Sequence, residues 1–395
     1  MKEVKEVRLL KRIYKIVLRE ARILRRNPIY MVFMVAMPIA AVLFFTTILS
    51  SGQPVEMPVG IVDQDYTPIT RRMARLLDAF QTTRIAGQYS TVSEARQAVQ
   101  RGEIYAFLYV PKGTSAKLLA SRKPTISFYY SMTSMTSGSL LFRDLKTISS
   151  LGNAGLMQAS LRQRGATEDQ ITTYLQPISI DLHQVANPTL DYNAYLSTAL
   201  VPGVLTLFMF LLAAYSLGTE LKFETGPNLL YQADDNIWVA LTGKLLPLFV
   251  ISLAIFYLYE LYVYYHLGFP HLGGPWPMVW LGLLTVMASL GFGIFMFGLL
   301  PQLRMSMSIC SLWAVLSFSM AGSIFPVASM DAPLRAMAWL FPLRHYFMIY
   351  QAVVFNGYPA VDVWFHVVAL IVFALLPLLV FPRIKKALKY YVYVP

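Results

Sequence analysis

The sequence predicts a polytopic α-helical membrane protein, with six transmembrane helices and an α/β extracytoplasmic domain between helices 1 and 2. Three observations carry that prediction. The 395 residues are 56% hydrophobic and only 14% charged, with a mean hydropathy of +0.52, whereas soluble domains carry about 25% charge. Six apolar runs, roughly 29–49, 194–218, 245–266, 278–300, 305–326 and 362–382, come close to or exceed the about 20 residues that cross a hydrocarbon core. Basic side chains crowd the two ends: ten stand in residues 1–26, and Arg383, Lys385, Lys386 and Lys389 follow the last run without an acid.

Residues 1–28 form the first element. Val7, Leu10, Tyr14, Val17, Ala21 and Leu24 recur at steps of three and four, which is one face of an amphipathic helix. Arg and Lys cover the rest, so the helix is expected on the inner leaflet, its charged face also free to touch a cytoplasmic partner. Asn27-Pro28 breaks it. The run at 29–49 is longer than the 7–15 residues of a signal core, so it is read as an uncleaved first span. By the positive-inside bias both termini are cytoplasmic, in agreement with an even number of spans. The net charge of +12 therefore marks topology and contact with the lipid bilayer, not nucleic acid.

Residues 50–193 are the one large hydrophilic block, placed outside by that topology. "MPVGIVDQD" reads as a strand ending in turn formers, and "TPITRRMARLLDAF" as a helix opened by Thr-Pro. "TVSEARQAVQRGEI" reads as a second helix with Ser93 in its cap, "IYAFLYVP" and "PTISFYYS" as further strands, and 134–165 as a long returning helix. Asp63 and Asp65 read as turn and cap material, and His183 stands alone. With no Cys/His cluster, Gly-x-Ser-x-Gly elbow or His-Glu-x-x-His pattern, the block implies a docking or gating module, with no catalytic or metal site. Cys310, the single cysteine, lies in the fifth run and rules out a disulfide framework.

Residues 194–382 hold the remaining five spans. Residues 327–361 are aromatic and interrupted by proline, and are expected to be a re-entrant outer segment; Arg335, Arg344 and His345 there either snorkel to lipid head groups or contact a substrate. Glu260, inside the third span, must pair or be wetted, with His366 as its candidate partner; an interhelical hydrogen bond and a polar spot in a pathway are equally open. Phe208, Met209, Trp313 and Met320 could line a path for an apolar cargo or simply face lipid. Residues 383–395 are a short basic tail.

The segment 220–244, "ELKFETGPNLLYQADDNIWVALTGK", is polar and charged between two apolar runs. Gly226-Pro227 marks a break, Asn228 to Gln232 a helical turn, and Asp234-Asp235-Asn236 a cap. "GTELKFETGPNLL…WVALTGKLLP", together with "FPVASMDAPLRAMAWLFPLRHYFMIYQAVVFNG" at 325–357, resembles the permeases of type-2 ATP-binding-cassette (ABC) exporters, the bacterial multidrug- and lipid-export-like subgroup with a large periplasmic domain. The order of one span, a large outer domain and five spans is similar too. The resemblance implies a coupling segment seated in a groove of an ABC ATPase, formed by Glu220, Lys222, Glu224, Thr225, Gly226, Leu229, Leu230, Gly243 and Lys244. Where many relatives have Thr-Pro after the Leu-Leu pair, this chain has Ala233-Asp234-Asp235.

The chain has no phosphate cradle of its own, since Gly243-Lys244-Leu245 lacks the upstream glycine and the hydroxyl residue of a P-loop. ATP and Mg are therefore expected on the partner ATPase, with no cofactor on this chain. The sequence thus leads to a permease in the bacterial inner membrane that exports a hydrophobic or amphipathic substrate. Its expected partners are separate ATPase subunits, a second permease subunit (itself or a paralogue) and a periplasmic adaptor protein. A membrane receptor or scaffold with a periplasmic sensing domain is the alternative.

Overall fold

The computed structural model describes residues 2–120, 122, 124–176, 187 and 191–390; His183 lies outside them. The chain forms two compact units, Ser51–His183 and the pair of segments Met1–Ser50 and Gln184–Pro395.

The larger unit begins with helix α1 (Lys2–Arg26). Asn27 then caps α2 (Pro28–Ile48), its side chain accepting the Ile29 N–H at 3.0 Å. The face of α1 that packs is not the one the apolar spacing indicates. Leu10, Tyr14 and Ala21 are exposed, while Ile16, Glu20 and Leu24 are buried, with Leu9, Ile13 and Ile23 packed around them. A count of apolar residues misses this face because a carboxylate stands at its centre.

The smaller unit follows in sequence. A four-stranded sheet has the order β2-β1-β3-β4, formed by β1 (Met57–Asp63), β2 (Thr83–Gln88), β3 (Ala106–Val110) and β4 (Ser127–Tyr130). β1 pairs in parallel with both β2 and β3, and β4 closes the sheet antiparallel to β3. Alternation along β1 and β3 makes two cores. Val59, Ile61, Ala106 and Leu108 face α3 (Pro68–Asp78) and the long α6 (Met135–Gln163); Val62 and Phe107 face α4 (Val92–Gln100). Thr91, not Ser93, caps α4, because its side chain is the one that reaches the Glu94 N–H, at 3.2 Å. Two short helices complete the unit, α5 (Thr114–Leu119) and α7 (Glu168–Leu175).

The chain then returns to the larger unit through α8 (Tyr192–Lys222), α9 (Gly226–Gln232), α10 (Ile237–His266), α11 (Pro275–Leu299) and α12 (Leu303–Met320). After the short helices α13 (Ala332–Met337) and α14 (Pro342–Ile349) comes α15 (Ala360–Tyr390). Among the described residues, six helices are long and apolar enough to cross a membrane: α2, α8, α10, α11, α12 and α15. Their burial is uneven. The most apolar stretch of α8 is 72% buried and that of α11 67%, so these two form the centre, whereas those of α12 and α15 are 28% buried. An apolar helix that the chain itself leaves uncovered is satisfied by lipid or by another subunit.

Candidate functional site

The polar connection between α8 and α10 is held by its own backbone, by glycine contacts and by charge. Residues 223–225 end α8: the Thr225 N–H bonds to the Glu220 carbonyl at 2.9 Å, and Glu224 adopts φ 54°. α9 then makes two turns and buries Leu229, Leu230 and Ala233. Asp234 and Asp235 both take left-handed backbone (φ 60° and 57°), which lets the Asp235 N–H return to the Leu230 carbonyl at 2.9 Å. Aspartate tolerates this region better than most non-glycine residues. Asn236 caps α10 by accepting the Trp238 N–H at 3.0 Å.

Two glycines mark close approaches. A β-carbon at Gly226 would run into the Leu388 backbone of α15, and one at Gly243 would lie 2.7 Å from Cβ of Ile16 on α1. No side chain fits at either place without moving a backbone.

Between these contacts lies a buried ion cluster. Lys244 Nζ donates to Glu20 Oε1 and to Glu220 Oε1, both at 2.8 Å. Arg19 clamps Glu220 with two parallel bonds of 3.0 Å, and Thr225 Oγ1 donates to Glu220 Oε2 at 2.5 Å. Ser216 Oγ approaches Glu20 Oε1 at 3.4 Å. Exposure is 0% for Glu20, 3% for Glu220 and 1% for Lys244. Two cations meet two anions, so the cluster is neutral, which is what allows four charges to leave water together. It ties α1, the end of α8 and the start of α10 into one body. Further out, Arg12 pairs with Asp234, and Asp235 pairs with Lys385 at 2.9 Å and faces Lys389 at 3.9 Å. The Lys385 hydrogen bond, then the two ammonium charges, hold the exposed Asp235 carboxyl below its usual range.

The nine residues assigned to the segment thus divide in two. Glu220, Gly226, Leu229, Leu230, Gly243 and Lys244 face inward and fix the loop's shape, and Thr225 bonds to Glu220. Only Lys222 and Glu224 are exposed, beside Phe223, Pro227, Asn228, Tyr231 and Gln232. Tyr231 is 88% exposed. The residues sequence reasoning missed are Arg19 and Glu20. Their signal was present: Ile13, Ile16, Glu20 and Leu24 share a helix face, and an acid among ten bases at such a position needs a cation of its own.

Of the pathway candidates, Trp313, Arg344 and His366 meet around Trp339 and Leu340. Phe208 tilts against Phe33 at 6.3 Å, Met209 is buried, and Trp313 Nε1 donates to the Leu340 carbonyl at 3.2 Å. Met320 is half-buried at the end of α12. Glu260 is buried on α10, but the expected bond to His366 is absent: His366 Nδ1 lies 2.9 Å from His345 Nδ1 instead. The intervening α14 brings His345 to the ring first. In the smaller unit, Asp63 and Asp65 spend their oxygens on loop geometry. Asp65 accepts the N–H groups of Gly113 at 2.7 Å and Ser115 at 2.8 Å, and Asp63 that of Tyr66 at 3.1 Å. Among the described residues no His, Cys, Asp or Glu group is arranged to hold a metal.

A bundle of long apolar helices joined by a polar loop is the build of a polytopic membrane protein. A family model described as ABC-2 family transporter protein matches residues 28–381, and the chain belongs to that family. It is thus the multi-pass permease component of an ABC transporter, and its family implies an ABC ATPase subunit as partner. Among curated proteins no match is found.

Proposed function

We propose that this chain is one permease subunit of an ATP-driven exporter and that α9 with its flanking residues is the coupling segment gripped by the ATPase. One observation supports this above the others. The inward side of the segment is fixed by buried ions, while its outward side presents Phe223, Pro227, Asn228 and Tyr231 to solvent. An aromatic ring left as exposed as Tyr231 costs apolar hydration unless a partner covers it, and Tyr anchors are enriched at the centres of interfaces. A loop that is rigid on one side and adhesive on the other transmits rigid-body motion from a partner to α1, α8 and α10 together.

In this reading six helices cross the bacterial inner membrane, both termini and α9 are cytoplasmic, and residues 51–183 form the periplasmic module. A second permease subunit covers α12 and neighbouring surfaces, and a hydrophobic or amphipathic cargo moves outward. ATP and Mg are bound by the ATPase. The test is co-purification with a candidate ABC ATPase and measurement of ATP turnover. Tyr231→Ala together with Phe223→Ala weakens association and lowers turnover while the permease still folds; Glu224→Ala or a Gly226 substitution also lowers both. Unchanged association and turnover in all of these variants would remove the coupling role.

A further inference from the structure

Arg344 is a buried charge that has no counter-ion among the described residues. It stands on the first turn of α14 and is only 8% exposed. Its Nε and Nη1 are sealed from solvent with no hydrogen-bond partner, and no carboxylate among the described residues pairs with it. The guanidinium lies over the Trp339 ring at 5.9 Å, and Nη1 points toward the bend at Gly322. A cation–π contact offsets less than the cost of desolvating an unpaired ion.

The neighbouring histidines do not supply an anion. His345 Nε2 lies 2.9 Å from the Trp339 carbonyl, so it carries the proton. A singly protonated His345 accepts the His366 Nδ1–H at its own Nδ1, and an imidazole, neutral or protonated, is no counter-ion for a guanidinium. Arg344 remains the one fixed charge of the cluster. The two segments beside it, 322–327 and 334–340, carry exposed Ile324, Phe325, Leu334, Trp339 and Leu340. A forked, buried cation beside an apolar rim is shaped for an oxyanion on a greasy body.

We infer that Arg344 receives the anionic group, phosphate or carboxylate, of an amphipathic molecule whose apolar part lies on that rim. The molecule is either a phospholipid of the surrounding leaflet or the exported cargo; the binding site stands independently of the transport reading, and only the second source rests on it.

The experiment titrates the full-length permease, purified in a maltoside detergent, with dodecyl phosphate and reads the rise in unfolding temperature. Dodecyltrimethylammonium serves as the cationic control of equal chain length. Dodecyl phosphate stabilises the wild-type chain and the cationic control does not. Arg344→Met weakens that binding by on the order of tenfold or more, and Arg344→Lys, which keeps the charge but loses the fork, falls between Met and wild type. If wild type does not distinguish the two amphiphiles, or Arg344→Met binds dodecyl phosphate like wild type, the site is refuted. The first of these comparisons needs no variant, so it holds even where Arg344→Met fails to fold.

Two further arms separate the sources. A lipid ligand shows as phospholipid that co-purifies with wild type and is lost from Arg344→Met. A cargo group shows as dodecyl phosphate raising ATP turnover of the permease–ATPase complex in phosphatidylcholine vesicles, in wild type but not in Arg344→Met. If the missing partner is a carboxylate of a second copy, Arg344→Met loses its dimer while wild type ignores dodecyl phosphate, and the proposal falls.

Discussion

Taking the ammonium away from Lys244 would leave the carboxylates of Glu20 and Glu220 buried without the cation they share at 2.8 Å each. Lys244→Met is therefore expected to destabilise the fold by about 3–5 kcal/mol, the range for breaking one partner out of a buried ion pair. Thermal unfolding of the purified permease checks this. Adding Glu20→Gln to Lys244→Met removes the carboxylate that lost its close cation, while Arg19 still holds Glu220, and restores part of the loss; a double variant no more stable than the single one would show that the cluster does not act as a unit. Glu220 is the costlier anion to lose, because Arg19, Lys244 and Thr225 all spend donors on it. Glu220→Gln should accordingly unfold at a lower temperature than Glu20→Gln, measured in the same assay.

At the level of elements, α9 is placed by two contacts that tolerate no added bulk. Gly226→Val would push α9 off the Leu388 backbone and Gly243→Val would push α1 off α10. Each is expected to raise hydrogen exchange in residues 226–236 and to weaken ATPase association without touching the exposed Tyr231. The Asp235 tie to Lys385 adds a pH dependence of known sign. Its folded pKa is depressed, so its contribution is fully present above the ordinary aspartate pKa and is lost as pH falls through the depressed value. Asp235→Asn should reproduce at neutral pH the loss of protection, relative to the intrinsic exchange rate at each pH, that acid produces in wild type. What was legible at this scale follows from periodicity. The apolar runs gave the long helices, and β1 and β3 announced themselves as short apolar segments, "MPVGIVD" ending in turn formers and "AFLYV" before a proline. β2 was not legible, because "TRIAGQ" lines a sheet edge with few apolar side chains. The exposed parts of the polar connection between α8 and α10, Lys222 and Glu224, could be read from charge alone. The role of α1 could not, since its packed face is organised around Glu20 rather than around a hydrophobic stripe.

For the molecule as a whole, the uneven covering of the helices leaves apolar faces to lipid or to a second subunit. Leu312 and Val315 project from α12 at 59% exposure each, while α8 and α11 are mostly enclosed. In the proposed dimer these positions meet a second permease subunit. Cys310 is the only cysteine and is buried, so Cys310→Ser gives a clean background. On it, Leu312→Cys is expected to cross-link two copies in membranes, read as a dimer band on a gel, whereas Leu379→Cys on α15 is not. No band from either position would count against a homodimer through α12. The family model begins at residue 28, yet half of the ion cluster comes from Arg19 and Glu20. The bundle's polar loop is therefore held from a helix that precedes the matched region.

The two tiers of charge around α9 must respond differently to electrolyte. At physiological ionic strength mobile ions weaken exposed charges over about 8 Å, so the rim contacts of Asp234 with Arg12 and Asp235 with Lys385 loosen as salt is added. Counter-ions cannot enter around Lys244, where the charges already cancel. Concentrated brine would thus fray the outer edge of the connection and leave its root fastened, so that the proposed grip of an ATPase on this loop would depend on salt while the buried ions beneath it would not.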